Sequence, residues 1–356
     1  MAYLRILLTL SFVGVAALAA FAAAGGGKFV DPLDAPAQPT QFTSSTHLSA
    51  IARAGSRLVS VGVRGLIVVS DDEGKSWRQA VSPVSSDLVA VRFVTPSRGW
   101  ASGHDGVILS TEDGGNRWTK QLDGRMAAQL LADHFDKLAA TGDANAARLR
   151  KEVARNYESG PEMPMLDLWF DNERVGWASG PFGTLLGTRD GGKTWTSWME
   201  KVDSDKMLHY NAVRSVGGDI YLASEQGTVF KLDRARERFV PQSTGYKGSF
   251  FGIVGTREYI VAYGLRGTAY RSRNGGASWQ RLETGVPGGL TGASLLDDGR
   301  LLFVSQDGRV IVSRNQGETF QPLPVSRPSL FTDVAQAAPG RILITGLGGV
   351  QSAPLP

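Results

Sequence analysis

A glycine returns at a near-constant interval along this chain, at Gly65, Gly106, Gly183, Gly227, Gly267, Gly308 and Gly349. The intervals are 41, 77, 44, 40, 41 and 41 residues, and the long one exceeds the common repeat by 36, the size of one insertion. A period in this range marks a propeller or solenoid whose unit is one supersecondary block. Residues 48–80 illustrate the unit: runs at 48–53, 57–63, 66–70 and 77–80 read as four strands separated by turns bearing Gly and Asp. Four antiparallel strands per unit make a propeller blade. Units starting near Leu88, Leu166, His209, Phe250 and Leu290 repeat the order, and the last, 330–355, supplies three strands. Segment 38–42 stands where the missing outer strand would come from, so it is expected to pair with the last blade and close the ring. The expected fold is all-β, a seven-bladed β-propeller over 38–356.

The turn between the third and fourth strands carries a second signature. It reads Ser70-x-Asp72-x-Gly74-x-Ser76-Trp77, Thr111-x-Asp113-x-Gly115-x-Arg117-Trp118 and Thr188-x-Asp190-x-Gly192-x-Thr194-Trp195, then Ser272-x-Asn274-x-Gly276-x-Ser278-Trp279 and Ser313-x-Asn315-x-Gly317-x-Thr319-Phe320. An Asp or Asn side chain accepts main-chain N–H bonds inside a tight turn, and the glycine takes a positive φ. The aromatic residue is expected to pack between neighbouring blades. The copy at 231–239 is decayed: Asp233 remains, Ala235 replaces the glycine, and Phe239 sits one place late. These five turns resemble the Asp-box, or BNR repeat, of sialidases and related propellers, where it is a folding element.

Residues 125–160 interrupt the blades. Met126, Leu130, Leu131, Phe135 and Leu138 recur at helical spacing, as do Leu149, Val153 and Tyr157, with Gly142-Asp143 as a C-cap followed by an N-cap. An αα-hairpin is expected between blades 2 and 3, on the face of the Gly65-type turns. Its stripe either packs the hairpin down or docks a partner.

The 356 residues are 42% hydrophobic and 20% charged with a formal charge of +4, a globular composition whose mild basicity shows no lysine-rich run for nucleic acid. Residues 1–24 read as an export signal: Arg5, an apolar run over 6–24, and Ala22-Ala23-Ala24 before Gly25. The run is also long enough to remain as an uncleaved membrane tether. Residues 25–37 read as a linker. With no cysteine, the chain has no residue to acylate as a lipoprotein and is held by packing alone, which suits the periplasm or an equivalent lumen.

Catalytic patterns are weak. Gly187-Thr-Arg-Asp-Gly-Gly-Lys193-Thr194 matches a P-loop string, but it is in register with the other Asp-box turns and Trp195-Thr-Ser-Trp198 after it reads as a strand, so no nucleotide site is expected. His47, His104, His134 and His209 lack ligand spacing, and no metal or other cofactor is expected. The Arg-Ile-Pro signature of sialidases is missing, the nearest string being Arg341-Ile-Leu. A glycosidase or glycan-binding propeller stays as the alternative function. Before the repeated glycines stand Arg64, Asp105, Phe182, Gln226, Arg266, Asp307 and Gly348 around one rim. Arg64 and Arg266 are either solvated turn charges or contacts to acidic groups of a partner. Arg64, Arg266, Phe182, Met126 and Tyr157 are the partner-binding candidates.

An Asp-box propeller with an export signal and Gly-Trp-Ala-Ser-Gly runs at 99–103 and 176–180 resembles the photosystem II stability/assembly factor family, over nearly all of 38–356. The resemblance implies a non-enzymatic scaffold that holds newly made subunits of a membrane-protein complex on the exported side; the chain is expected to be a monomer. In a photosynthetic host the client is a photosystem subunit; elsewhere it is another envelope complex. The helical insertion is a departure that resembles bacterial relatives.

Overall fold

The computed structural model describes residues 29–355. The chain divides into a unit Met1–Asp31, of which 29–31 are described, and a propeller, Pro32–Pro356. The expected signal peptide and its cleavage site lie outside the described residues.

The propeller has seven antiparallel sheets. Blade 1 is β1 (Leu48–Ala54), β2 (Arg57–Gly62), β3 (Ile67–Ser70) and β4 (Arg78–Gln79); blade 2 is β5 (Leu88–Phe93), β6 (Gly99–Gly103), β7 (Ile108–Thr111) and β8 (Thr119–Leu122). Blade 3 is β9 (Asp167–Phe170), β10 (Gly176–Ser179), β11 (Leu185–Thr188) and β12 (Thr196–Ser197); blade 4 is β13 (Tyr210–Val216), β14 (Asp219–Ser224), β15 (Thr228–Asp233) and β16 (Arg238–Ser243). Blade 5 is β17 (Phe250–Gly255), β18 (Ile260–Gly264), β19 (Ala269–Ser272) and β20 (Gln280–Leu282); blade 6 is β21 (Leu290–Leu295), β22 (Leu301–Ser305), β23 (Val310–Ser313) and β24 (Gln321–Pro322). Blade 7 is β25 (Phe331–Ala338), β26 (Arg341–Gly346) and β27 (Gly349–Pro354).

The core is divided among the junctions. Each neighbouring pair of blades shares one apolar cluster, and the one holding Leu48, Ile51, Leu58 and Val68 with Ala335, Leu343 and Val350 joins blade 7 to blade 1. Strands buried on both faces explain the continuous apolar runs, such as residues 67–69 of β3. The Asp-box aromatics sit in these junctions as expected: Trp118 between blades 1 and 2, Trp195 between 2 and 3, Trp279 between 4 and 5, Phe320 between 5 and 6, and Trp77 between 7 and 1.

The five boxes share one hydrogen-bond scheme. In blade 1, Ser70 Oγ donates to Asp72 Oδ1 at 2.8 Å and accepts from Gly74 N at 2.8 Å, while Ser76 N donates to Asp72 Oδ1 at 2.9 Å. Thr111 with Asp113 and Gly115, Thr188 with Asp190 and Gly192, Ser272 with Asn274 and Gly276, and Ser313 with Asn315 and Gly317 repeat it. The P-loop-like string is therefore one of these turns. In blade 4 the box is gone, and β15 and β16 run on to a tight hairpin in which Asp233 faces Arg238.

The insertion folds as expected into α1 (Gly124–Ala139) and α2 (Ala144–Asn156), capped by Asp123 accepting from Met126 N and Asp143 accepting from Ala146 N. Ala127, Leu131, Phe135, Ala146, Leu149 and Val153 are buried against Trp100, Phe170 and Trp195 of blades 2 and 3. Most of the stripe is thus consumed by packing, while Met126 stays exposed. His134 Nε2 lies 3.2 Å from Glu200 Oε1, fastening α1 to the turn after β12.

Two expectations about the N-terminal region are corrected. Segment 38–42 forms no strand, and blade 7 keeps three. Pro39, in the middle of the segment, breaks the run of donors a ladder needs. The segment is held by Gln79 of blade 1, whose Oε1 accepts from Thr40 N at 2.9 Å and whose Nε2 donates to Gln38 O at 3.0 Å. Blade 7 meets the region further on, where Val350 N donates to Ser44 O at 2.9 Å. The linker also ends early: Leu33 is 1% exposed in the cluster between blades 1 and 2.

Candidate functional site

The Gly65-type turns build one face of the propeller. Arg64, Asp105, Phe182, Gln226 and Arg266 all adopt φ between 52° and 56°, and each precedes its repeated glycine. The glycine is required twice over. Gly267 has φ 66°, and a Cβ there would lie 1.7 Å from Val286 O, in the segment leading to the next blade. Gly65 meets Val84 O and Gly227 meets Tyr246 O in the same way. The repeat is therefore the point where each blade-to-blade crossover passes over the turn beneath it, which leaves the preceding residue at the surface.

Arg64 and Arg266 are both exposed. Arg266 lines an open groove of about 470 Å3 with Arg281, Arg309, Thr284, Val286 and Pro287. Its two companions have partners on the same surface: Arg309 is 3.0 Å from Asp307, and Arg281 is 3.9 Å from Glu283. Phe182 is 39% exposed and packs edge-on against His209 with ring centroids 4.7 Å apart. Met126 is 50% exposed on the first turn of α1. Tyr157 is half-buried, and burial pushes its hydroxyl up to about 12. The structure does not gather these five residues, which belong to blades 1, 3 and 5 and to the hairpin. The groove adds Arg281, from the outer strand of blade 5, and Arg309, which follows the repeated Gly308; sequence reading considered only the residue before each glycine and so missed both.

A second polar centre lies on the ring axis, in a cavity of about 150 Å3 lined by Arg92, Asp167, Arg214, Tyr263 and Asp333. Inner strands are sheet edges, so their outward N–H and C=O groups need partners. Side chains of the preceding blade supply them. Asn211 Nδ2 donates to Phe250 O, Thr291 Oγ1 to Phe331 O and Thr332 Oγ1 to Leu48 O, each at 2.8 Å. Asp167 accepts from Val213 N at 2.9 Å, and Asp333 accepts from Ile51 N at 3.1 Å. Asp167 also accepts from Arg214, and Arg92 stands 4.0 Å away. Burial pushes the Asp167 carboxyl up to about 7 against the pull of Arg92, and raises Asp333 for the same reason. The signal was in the repeat: the same position holds Ala50, Ala90, Ala212, Gly252 and Gly292 in the other blades.

Residues 149–329, just over half the chain, match the family described as photosynthesis system II assembly factor YCF48. The chain belongs to this family. It is 23% identical to the photosystem II assembly lipoprotein Ycf48 of Synechococcus sp. (strain CC9902) over 76% of this chain and 74% of that protein. It is 22% identical to the Ycf48 assembly protein of Synechococcus sp. (strain JA-3-3Ab) over 82% and 94%. Among solved structures, YCF48 from Cyanidioschyzon merolae aligns with TM-score 0.64 at 15% identity, covering 90% of this chain and 98% of that one. A structure described as YCF48 bound to D1 peptide aligns with TM-score 0.63 at 15% identity over 92% and 98%. These structures share the propeller fold. Among the described residues no helix is long and apolar enough to cross a membrane.

Proposed function

We propose that this chain is a non-enzymatic, monomeric assembly and stability factor of the exported compartment, which holds a newly made subunit of a membrane-protein complex against its turn face. The observation that carries the reading is the family match over 149–329, because blades 4 to 6, which bear the Arg266 groove, fall within it. A relative of this fold has been captured with a D1 peptide, a segment of another polypeptide. Arg266, which has no carboxylate partner among the described residues, with the paired Arg281 and Arg309 beside it, suits an acidic side chain or a carboxylate terminus. Arg64, Phe182 and Met126 are secondary contacts at other points of the rim. The client is a photosystem subunit if the host is photosynthetic and another envelope complex if it is not, and an uncleaved N-terminal run would tether the factor beside it.

The test is recovery of detergent-solubilised envelope proteins on the wild type and on an Arg266→Glu, Arg281→Glu double variant. The wild type should retain a defined membrane-protein subunit and the charge-reversed variant should lose it. Equal recovery on both would remove the groove from the account.

A further inference from the structure

The box of blade 5 is built on an asparagine followed by glycine, Asn274-Gly275, a dipeptide that occurs once in the chain. Asn274 is exposed. Its Oδ1 accepts from Ser272 Oγ and from Ser278 N, each at 2.9 Å, and its Nδ2 donates to Ser278 Oγ at 2.9 Å. Two donors on one carbonyl oxygen draw electron density from Cγ and stabilise negative charge on Oδ1 when a nucleophile adds there. The next nitrogen along the chain is that of Gly275. In blades 2 and 3 the corresponding nitrogen is tied to the first hairpin of its own blade, Gly114 N donating to Ser97 O at 2.9 Å and Gly191 N to Arg174 O at 2.8 Å. Gly275 N has no such acceptor among the described residues, and Gly275 is exposed. Blade 6 has the same box with a different successor. Asn315 Oδ1 accepts from Ser313 Oγ at 3.0 Å and from Thr319 N at 2.9 Å, but Gln316 follows, and its side chain crowds the nitrogen.

We propose that Asn274 is a modification site, at which the folded chain converts asparagine to aspartate through a cyclic imide. Gly275 N attacks Cγ of Asn274 as its proton passes to water, and Oδ1 carries the charge of the tetrahedral adduct. The Cγ–Nδ2 bond then breaks, and the nitrogen leaves as ammonia after taking a proton from water. Water adds to Cγ of the imide, the bond from Cγ to Gly275 N breaks, that nitrogen regains its proton, and a carboxylate remains. One water is consumed and one ammonia released, with no oxidant or reductant. Addition of water at the main-chain carbonyl would instead lengthen the turn by one carbon and displace Gly275 O, which lies 3.5 Å from Tyr221 OH of blade 4, so the box favours aspartate.

The product has a place ready. In blades 1 and 3 the box already holds aspartate, with Ser76 Oγ donating to Asp72 Oδ2 and Thr194 Oγ1 to Asp190 Oδ2, both at 2.6 Å. Ser278 has only to turn its hydroxyl proton toward residue 274 to make that bond. Conversion lowers the formal charge of +4 by one, near the Lys231 ammonium, which lies 3.3 Å from where a Cβ on Gly275 would stand. The step is irreversible, so the added charge separates older from newer molecules of the chain. The site lies on the Asp-box face, so its fate is independent of the Arg266 groove.

The full chain, incubated folded at about pH 8, is digested with pepsin in acid, where the Gly275 nitrogen keeps its proton and the attack stops, and its peptides are weighed. The peptide spanning Asn274 should gain about 1 Da, at a rate at least about tenfold above that spanning Asn315. Gly275→Gln copies blade 6, where Gln316 adopts φ 58° at the same position as the 67° of Gly275, so the variant keeps the turn. It should slow conversion by about tenfold or more. Asn274→Asp should unfold at the wild-type urea midpoint. Conversion of Asn274 only in the urea-unfolded chain, equal rates at Asn274 and Asn315, or a Gly275→Gln chain that converts as fast as the wild type would each overturn the proposal. An Asn274→Asp chain with a lowered midpoint would overturn the claim that the box accepts the product.

Discussion

Asp333, on the inner strand of blade 7, accepts a hydrogen bond at 3.1 Å from the main-chain N–H of Ile51 in blade 1, 282 positions earlier. Beside it Thr332 Oγ1 donates to Leu48 O at 2.8 Å. Blade 7 has no fourth strand, and side chains of its inner strand join the last sheet to the first, satisfying an inner edge as Asn211 and Asp167 do between four-stranded blades. Replacing Asp333 by Ala should leave Ile51 N without an acceptor and lower unfolding stability by about 1–3 kcal/mol, measured by urea denaturation. Asp333→Asn keeps an acceptor and should lose less. An Asp333→Ala protein as stable as the wild type would mean that the seam is held by its apolar cluster alone.

The equivalent latch at Asp167 makes stability depend on pH. Its folded carboxyl titrates near 7 against an ordinary 3.8, so between about pH 4 and pH 7 the folded chain holds a proton that the unfolded chain has released. That contribution is complete below the lower value and is lost as pH rises through the upper one. The urea midpoint should therefore fall from pH 5 to pH 8 in the wild type, and the fall should shrink in Asp167→Asn. A midpoint that falls equally in both proteins would assign the dependence to other groups.

Most of the fold could be read from the chain because seven repeats report the same physics. Gly65 and Gly267 mark crossovers, Asp72 and Asp113 mark boxes, and Gly142-Asp143 marks the hairpin break. Segment 38–42 was misread because its spacing fits a strand, while Pro39 denies it a donor that a ladder requires. The candidate site was only partly legible. Arg266 stands out before a repeated glycine, but Arg309 follows one and Arg281 reaches the groove from an outer strand with no periodic signal. Asp167 and Asp333 were visible as departures from Ala and Gly at one repeat position, a comparison between blades rather than along one.

Two glycines beside the groove should respond differently to alanine. At Gly267 a Cβ would overlap Val286 O at 1.7 Å, whereas at Gly285, with φ 69°, nothing lies within 4 Å. Gly285→Ala should cost about 1 kcal/mol of backbone strain, and Gly267→Ala clearly more, since the crossover must move as well. Thermal denaturation of the two variants checks the order. Equal losses would remove the close approach as the reason for the repeat.

Trp100 and Trp177 offer a matched pair. Trp100→Phe gives up the bond to Gly191 O at 3.2 Å, while Trp177→Phe gives up none. The first should destabilise by about 1 kcal/mol more than the second in urea. The opposite order would mean that the Trp100–Gly191 bond adds nothing to the junction between blades 2 and 3.

The central claim is that the turn face, rather than the Asp-box face, holds a membrane-protein subunit. A photo-reactive benzoylphenylalanine placed at the exposed Glu283 in the groove, and separately at Lys75 in the blade 1 box, tests it in intact cells. A covalent adduct between the chain and one membrane-protein subunit is expected from position 283 and not from position 75. No adduct at 283, or the same adduct from both positions, would contradict it.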